Sequence, residues 1–246
     1  MAFFDRFKKK NNQPEPEEPA AQSLPEEPVP ETPEPQPQSM PQSVELPPEP
    51  QEPEAQPDPE QPQRRVLTPE ETRKLQEVLN RTYPGLAMYV RDADLTYEQY
   101  AKYKVGDIIC EKAYVDASRR VMGMATSHRY AILSNHMMEP TAKELEKGAN
   151  WGLRVANKGS HFKVLGTHKY QEKTVIFLLH LPDDEDWKLF KDTVIDSDEA
   201  LIAKCKARFE AKCTLSPVSD LAGEEWLGRC RFPIGMDNNG NLYPIE

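Results

Sequence analysis

The side chains that could do chemistry are few and widely spaced. The histidines, His128, His136, His161, His168 and His180, show none of the short spacings that hold a metal on one element. His180 sits in an apolar run, where a hydrogen-bonded core residue is the expected role. Cys110, Cys205, Cys213 and Cys230 form no Cys-x-x-Cys pair, so no metal is expected, and free thiols in a reducing compartment are. A phosphate-binding Gly-x-x-x-x-Gly-Lys-Ser/Thr loop, a Gly-x-Ser-x-Gly elbow and a His-Glu-x-x-His pair are all missing. The Asp237-Asn238-Asn239-Gly240-Asn241 stretch has calcium-like composition but no acidic residue where an EF-hand loop places its bidentate one, so it reads as a tight turn.

The elements that would position these residues are clearer. Phe162 to Leu165 and Lys173 to Leu181 are strand-prone runs joined by the polar residues His168 to Glu172, which predicts a β-hairpin. The second run is apolar at nearly every position, so both of its faces should be covered. Thr68-Pro69-Glu70-Glu71 is a capping box with proline at the first helical position. Leu75, Val78 and Leu79 then give an apolar stripe, and Tyr83-Pro84-Gly85 a stop. Short strands are expected at 86–90, ending on Arg91, and at 107–110, 114–118, 128–133 and 151–155. Helices are expected from Thr96, from Thr141 with Glu144 at its third position, from Asp183, from Ser197 to Cys213, and around Trp226. This order gives an α+β domain with a mixed or mainly antiparallel sheet and several peripheral helices.

Composition divides the 246 residues. Residues 1–66 hold 17 of the 24 prolines and no glycine, with 6 Lys and Arg against 14 Asp and Glu. The chain's net charge of −10 therefore belongs mostly to this tail. Residues 11–66 cannot bury enough apolar surface to order themselves and read as a disordered, extended spacer. Residues 67–246 are long enough for one domain, a sheet-containing core over about 86–181 and a helical extension over 183–246. At the N-terminus, Phe3, Phe4 and Phe7 share a face beside Lys8, Lys9 and Lys10, a pattern that suits the interface of an anionic membrane. No run approaches the ~20 apolar residues of a spanning helix. The expected location is the cytoplasm, peripheral to the inner face of the membrane. The folded part has no concentrated basic patch with interleaved aromatics, so nucleic acid is not an expected partner.

Four stretches, taken in order, carry a resemblance: Met88-Tyr89-Val90-Arg91, Tyr103-Lys104-Val105-Gly106-Asp107-Ile108-Ile109, Ala113-Tyr114-Val115-Asp116-Ala117-Ser118 and His161-Phe162-Lys163-Val164-Leu165. Together they resemble the toxin-type ADP-ribosyltransferases of the Arg/Ser-Thr-Ser/Glu-x-Glu class. The resemblance implies that Arg91 grips the pyrophosphate of NAD and that Ser118 orders the site. The nearest Glu-x-Glu, Glu144-Leu145-Glu146, would supply carboxylates to stabilise the sugar cation and activate the acceptor. The chain departs from the pattern in two places. Asp116-Ala117 replaces the first Ser and the Thr, and Trp151-Gly152-Leu153-Arg154 brings no carboxylate directly before the Phe-x-Val strand.

Two expectations follow. In the first, the protein is a non-catalytic adaptor with no cofactor, an unidentified protein partner and a membrane-touching tip on an acidic linker. The alternative is a divergent NAD-dependent ADP-ribosyltransferase using Arg91, Ser118, Glu144 and Glu146.

Overall fold

The structure is a computed structural model that describes residues 67–141, 150–193, 195 and 197–245. The chain divides into two units, Met1–Gln56 and Pro57–Glu246, and every described residue belongs to the second. The tip at 1–10, the linker at 11–66, Glu144 and Glu146 lie outside the described residues.

Helix α1 runs Pro69–Thr82 and starts as its capping box demands. The Glu71 N–H donates to Thr68 Oγ1 at 3.2 Å, and the Thr68 N–H donates to the Glu71 carboxylate at 2.9 Å. Its stripe buries Leu75 and Val78. Strand β1 then runs Ala87–Ala93, two residues past Arg91, so Arg91 lies inside the strand. Two charged residues are tolerated there, Arg91 because it bonds backbone carbonyls and Asp92 because it is ion-paired. Asp92 faces Arg129 across the ladder and binds it at 2.5 and 3.0 Å, while Arg129 also donates to the carbonyls of Met122 and Gly123.

Helix α2 (Tyr97–Tyr100) is one turn, capped by Thr96 and Gln99. Strands β2 (Ile108–Glu111), β3 (Val115–Ser118), β4 (His128–Ser134) and β5 (Leu153–Ala156) fall close to the expected positions. The hairpin is longer than expected. Strand β6 runs Ser160–Tyr170 and β7 runs Lys173–His180, with Tyr170 paired to Lys173. Only Gln171 and Glu172 form the turn, and Gln171 takes a φ of +52° to close it. His168 and Lys169 are strand residues despite their polarity, because they pair with Val175 and Thr174, and His168 meets Glu210 at 2.7 Å.

Among the described residues, seven strands make one mixed sheet in the order β2-β6-β7-β4-β1-β3-β5. All neighbours are antiparallel except β4 and β7, which run parallel. The period of two along β7 sorts its side chains into two cores. Val175, Phe177 and Leu179 face one way, with Val78, Ala131 and Leu133. Ile176 and Leu178 face the other, with Tyr130, Ile132 and Phe162. Both faces are thus covered, as an uninterrupted apolar run requires.

The first core is closed by a 3-10 helix at Glu185–Phe190, capped by Asp184 in place of Asp183, and by α3 (Ser197–Cys213). Helices α4 (Ser219–Ala222) and α5 (Glu224–Cys230) bring Trp226 onto Trp151, ring centres 5.5 Å apart, in a third cluster beside β5. None of the four cysteines forms a disulfide, and Cys205, Cys213 and Cys230 are buried. Among the described residues, no helix is long and apolar enough to cross a membrane.

Candidate functional site

Arg91 is 6 % exposed, so its guanidinium must find partners inside the protein. It donates from one terminal nitrogen to the Asp116 carbonyl at 3.1 Å and from the other to the Phe232 carbonyl at 2.9 Å. Its Nε has no partner. The neighbouring buried Glu111 is committed in the same way. One carboxylate oxygen accepts the Ala113 N–H at 2.8 Å, and the other accepts the Gly235 N–H at 2.7 Å.

The C-terminal segment that Arg91 and Glu111 hold is gripped a third time by two tyrosines. The Ile234 N–H donates to the Tyr130 hydroxyl at 3.3 Å, and the Tyr103 hydroxyl donates to the Ile234 carbonyl at 2.7 Å. The two hydroxyls are 2.6 Å apart, which leaves the Tyr130 proton for the Tyr103 oxygen. Burial pushes the Tyr130 hydroxyl up to about 12 and Tyr103 well above its ordinary value, so both stay protonated donors. Gly235, at a φ of +81°, fits where an added Cβ would meet the Ile109 side chain at 3.1 Å. Residues 232–236 therefore lie across the Arg91 face as a strap. Beside it, a cavity of about 300 Å³ remains, lined by Arg91, Glu111, Tyr114, Arg229, Phe232 and Tyr243 among others.

Ser118 lies on β3, next to Val90 of β1, and is wholly buried. Its hydroxyl donates to the Trp151 carbonyl at 2.6 Å and accepts the Arg120 N–H at 2.9 Å. It does not line the Arg91 cavity. Strands β1 and β3 thus bring Arg91 and Ser118 to adjacent positions, but their polar atoms serve the fold.

A second constellation sits at the end of the sheet where β4 and β7 terminate. Because these strands run parallel, their last residues, Ser134 and His180, lie side by side, and their hydroxyl and Nδ1 are 2.9 Å apart. His136 follows β4 and stacks on His180 with ring centres 4.0 Å apart. Asp183 follows β7. Its carboxylate accepts from the Asn157 amide at 3.1 Å and lies 3.7 Å from His180 Nε2. His180 holds the Asp183 carboxyl well below the usual carboxylate range, against the upward push of burial, and the Asn157 amide adds to the effect. Burial, and then the neighbouring His180, push the His136 imidazole below its ordinary value. His136, Asp183, Asn135 and Arg81 line a cavity of about 470 Å³. His180 is the hydrogen-bonded core residue that its apolar run implies, yet it is also part of this cluster. No short spacing signals the grouping, since only the parallel pairing of β4 with β7 closes the gap from His136 to His180.

No protein-family model matches the chain, and no curated protein matches it. Among solved structures, it is similar to the Vis toxin, an ADP-ribosyltransferase from Vibrio splendidus, at 15 % identity and a TM-score of 0.30, covering 39 % of this chain and 49 % of that one. It is similar to exoenzyme S from Pseudomonas aeruginosa at 10 % identity and a TM-score of 0.32, covering 43 % and 54 %. The C3larvin toxin, an ADP-ribosyltransferase from Paenibacillus larvae, gives 10 % identity and a TM-score of 0.32, covering 48 % and 75 %. The chain spans about half the length of the first two. The likeness to ADP-ribosyltransferase toxins is faint and partial.

Proposed function

We propose that residues 67–246 are a non-catalytic binding domain, carried on the acidic proline-rich linker and drawn to an anionic membrane by Phe3, Phe4, Phe7 and Lys8 to Lys10. The observation that supports a non-catalytic reading is the strap. Arg91 spends its terminal nitrogens on the Asp116 and Phe232 carbonyls, and Glu111 spends both oxygens on backbone N–H groups. An arginine that must grip a pyrophosphate needs that fork free. The linker supports a tether, since a flexible link raises local concentration without fixing geometry. The partner on this reading is a protein, with the membrane as a weak second surface.

The test of the tether is co-sedimentation of the full chain with phosphatidylserine vesicles. Binding that Phe3→Ser, Phe4→Ser and Phe7→Ser together abolish supports it, and no binding, or binding unchanged in that variant, removes it.

A second reading has one observation in its favour. The unpaired Arg91 Nε belongs to a side chain that lines a cavity. On that reading the protein is a divergent NAD-dependent ADP-ribosyltransferase in which Arg91 and Ser118 hold NAD and Glu144 or Glu146 acts on the sugar. It requires nicotinamide release from NAD by the full chain.

A further inference from the structure

The end of the parallel strand pair presents a buried nitrogen with no hydrogen to give. Asn135 is fixed by its amide, which donates to the carbonyls of Arg81 at 2.7 Å and Pro84 at 3.0 Å. Its oxygen is thereby turned to His136 Nδ1, 2.9 Å away, and an oxygen can only accept. The proton of a neutral His136 is therefore on Nδ1, and Nε2 is a bare lone pair. That Nε2 is buried and makes no hydrogen bond of good geometry, although the Leu181 carbonyl lies close to the ring. Leaving such an acceptor without a partner from the protein is unfavourable, and few native groups do so without a reason.

Two further donors point to the reason. One nitrogen of His136, one nitrogen of His180 and one carboxylate oxygen of Asp183 all lie within 4.8 Å of one another. His180 Nε2 and Asp183 Oδ1 are 3.7 Å apart, too long for a good hydrogen bond. Two ligands about 2.1 Å from a shared tetrahedral ion stand roughly 3.4 Å apart. We propose that His136, His180 and Asp183 form a binding site for a divalent transition-metal ion, zinc or one of similar preference.

The surroundings are those of a supported site. Asn135 fixes the His136 tautomer, as outer hydrogen bonds do for metal-bound histidines. Ser134 can accept from His180 Nδ1, which leaves Nε2 a lone pair, and the Ser160 hydroxyl that stands 3.1 Å from this Nε2 is the group an ion would displace. Asn157 holds Asp183 Oδ2 at 3.1 Å, while Oδ1 accepts a long 3.4 Å hydrogen bond from the Ser160 hydroxyl that coordination would replace. Arg81, the cation on the cavity wall, is already paired with Asp184 and Asp186. Two neutral imidazoles with one carboxylate suit zinc, cobalt or nickel rather than calcium or magnesium, which prefer oxygen ligands. Three protein ligands beside a cavity leave a fourth position for water or a small ligand, so the site could take a partner's side chain as its fourth ligand.

The test is a cobalt(II) titration of the chelator-treated full chain, read by visible absorption, with zinc competition. One equivalent should bind and give ligand-field bands of a low-coordinate ion. His136→Ala and Asp183→Asn, both partly exposed and so safe for folding, should each weaken binding at least about tenfold. Asn135→Ala, which releases the tautomer along with the bonds to the Arg81 and Pro84 carbonyls but removes no ligand, should weaken it by a similar factor. Cys110→Ser, at the one thiol that is not buried, should change nothing. No stoichiometric binding, or binding that survives His136→Ala and Asp183→Asn, overturns the proposal.

Discussion

The two ends of this sheet treat buried polar groups in opposite ways. On the Arg91 face the protein supplies its own ligand. The strap at 232–236 takes hydrogen bonds from Arg91 and Tyr103 and gives them to Glu111 and Tyr130. At the ends of β4 and β7, His136 keeps an unpaired nitrogen, and Asp183 lies on a cavity wall. The lesson is that a residue type alone does not mark a site. Arg91 has the chemistry of an anion grip, but both of its terminal nitrogens are held by backbone carbonyls. His136 has no telling neighbours in sequence, yet its lone pair is open.

The contrast can be broken most forcefully at Arg91. Arg91→Ala removes two charge-assisted hydrogen bonds and releases one anchor of the strap, so it should cost about 3 kcal/mol in urea unfolding. A loss under ~0.5 kcal/mol would mean that the strap does not depend on Arg91. Ser118→Ala leaves the Trp151 carbonyl and the Arg120 N–H without their partner and should cost about 2 kcal/mol. His136→Ala, at the open end, should change stability by no more than ~0.5 kcal/mol while removing metal affinity. Equal stability losses at Arg91 and His136 would erase the distinction.

The smallest effect is in acid. The folded-state value of Asp183 is lowered, so its contribution is present above the ordinary carboxylate range and is lost as pH falls. His136 is lowered too, so the folded state also resists its protonation below about 6.5. Both give stability that declines on acidification, and Asp183→Asn should flatten the part of that decline below about pH 4. An unchanged slope in the variant would show that Asp183 is not coupled to folding.

Much of the fold is legible in the residues themselves. The Thr68 capping box, the unbroken apolar run of β7 and the Asp237–Asn241 turn each follow from local chemistry and occur where they should. In that turn, Asp237 accepts the N–H groups of Asn239 and Asn241, so its carboxylate is used by the backbone. The length of β6 is not legible, because His168 and Lys169 look like loop residues until Val175 and Thr174 pair with them. Nor is the interior place of Arg91, which depends on carbonyls 25 and 141 residues away. The His136–His180–Asp183 cluster is hidden for the same reason. Its members meet through a parallel strand pair, and pairing partners of distant strands leave no trace in spacing.

Arg91 is a clamp on the protein's own chain. Calorimetric titration of the full chain with NAD, beside urea unfolding of the wild type and Arg91→Ala, tests it most directly. The account predicts no saturable binding at millimolar NAD and a large stability loss in the variant. Saturable NAD binding that Arg91→Ala abolishes while leaving stability intact would contradict it and favour the transferase.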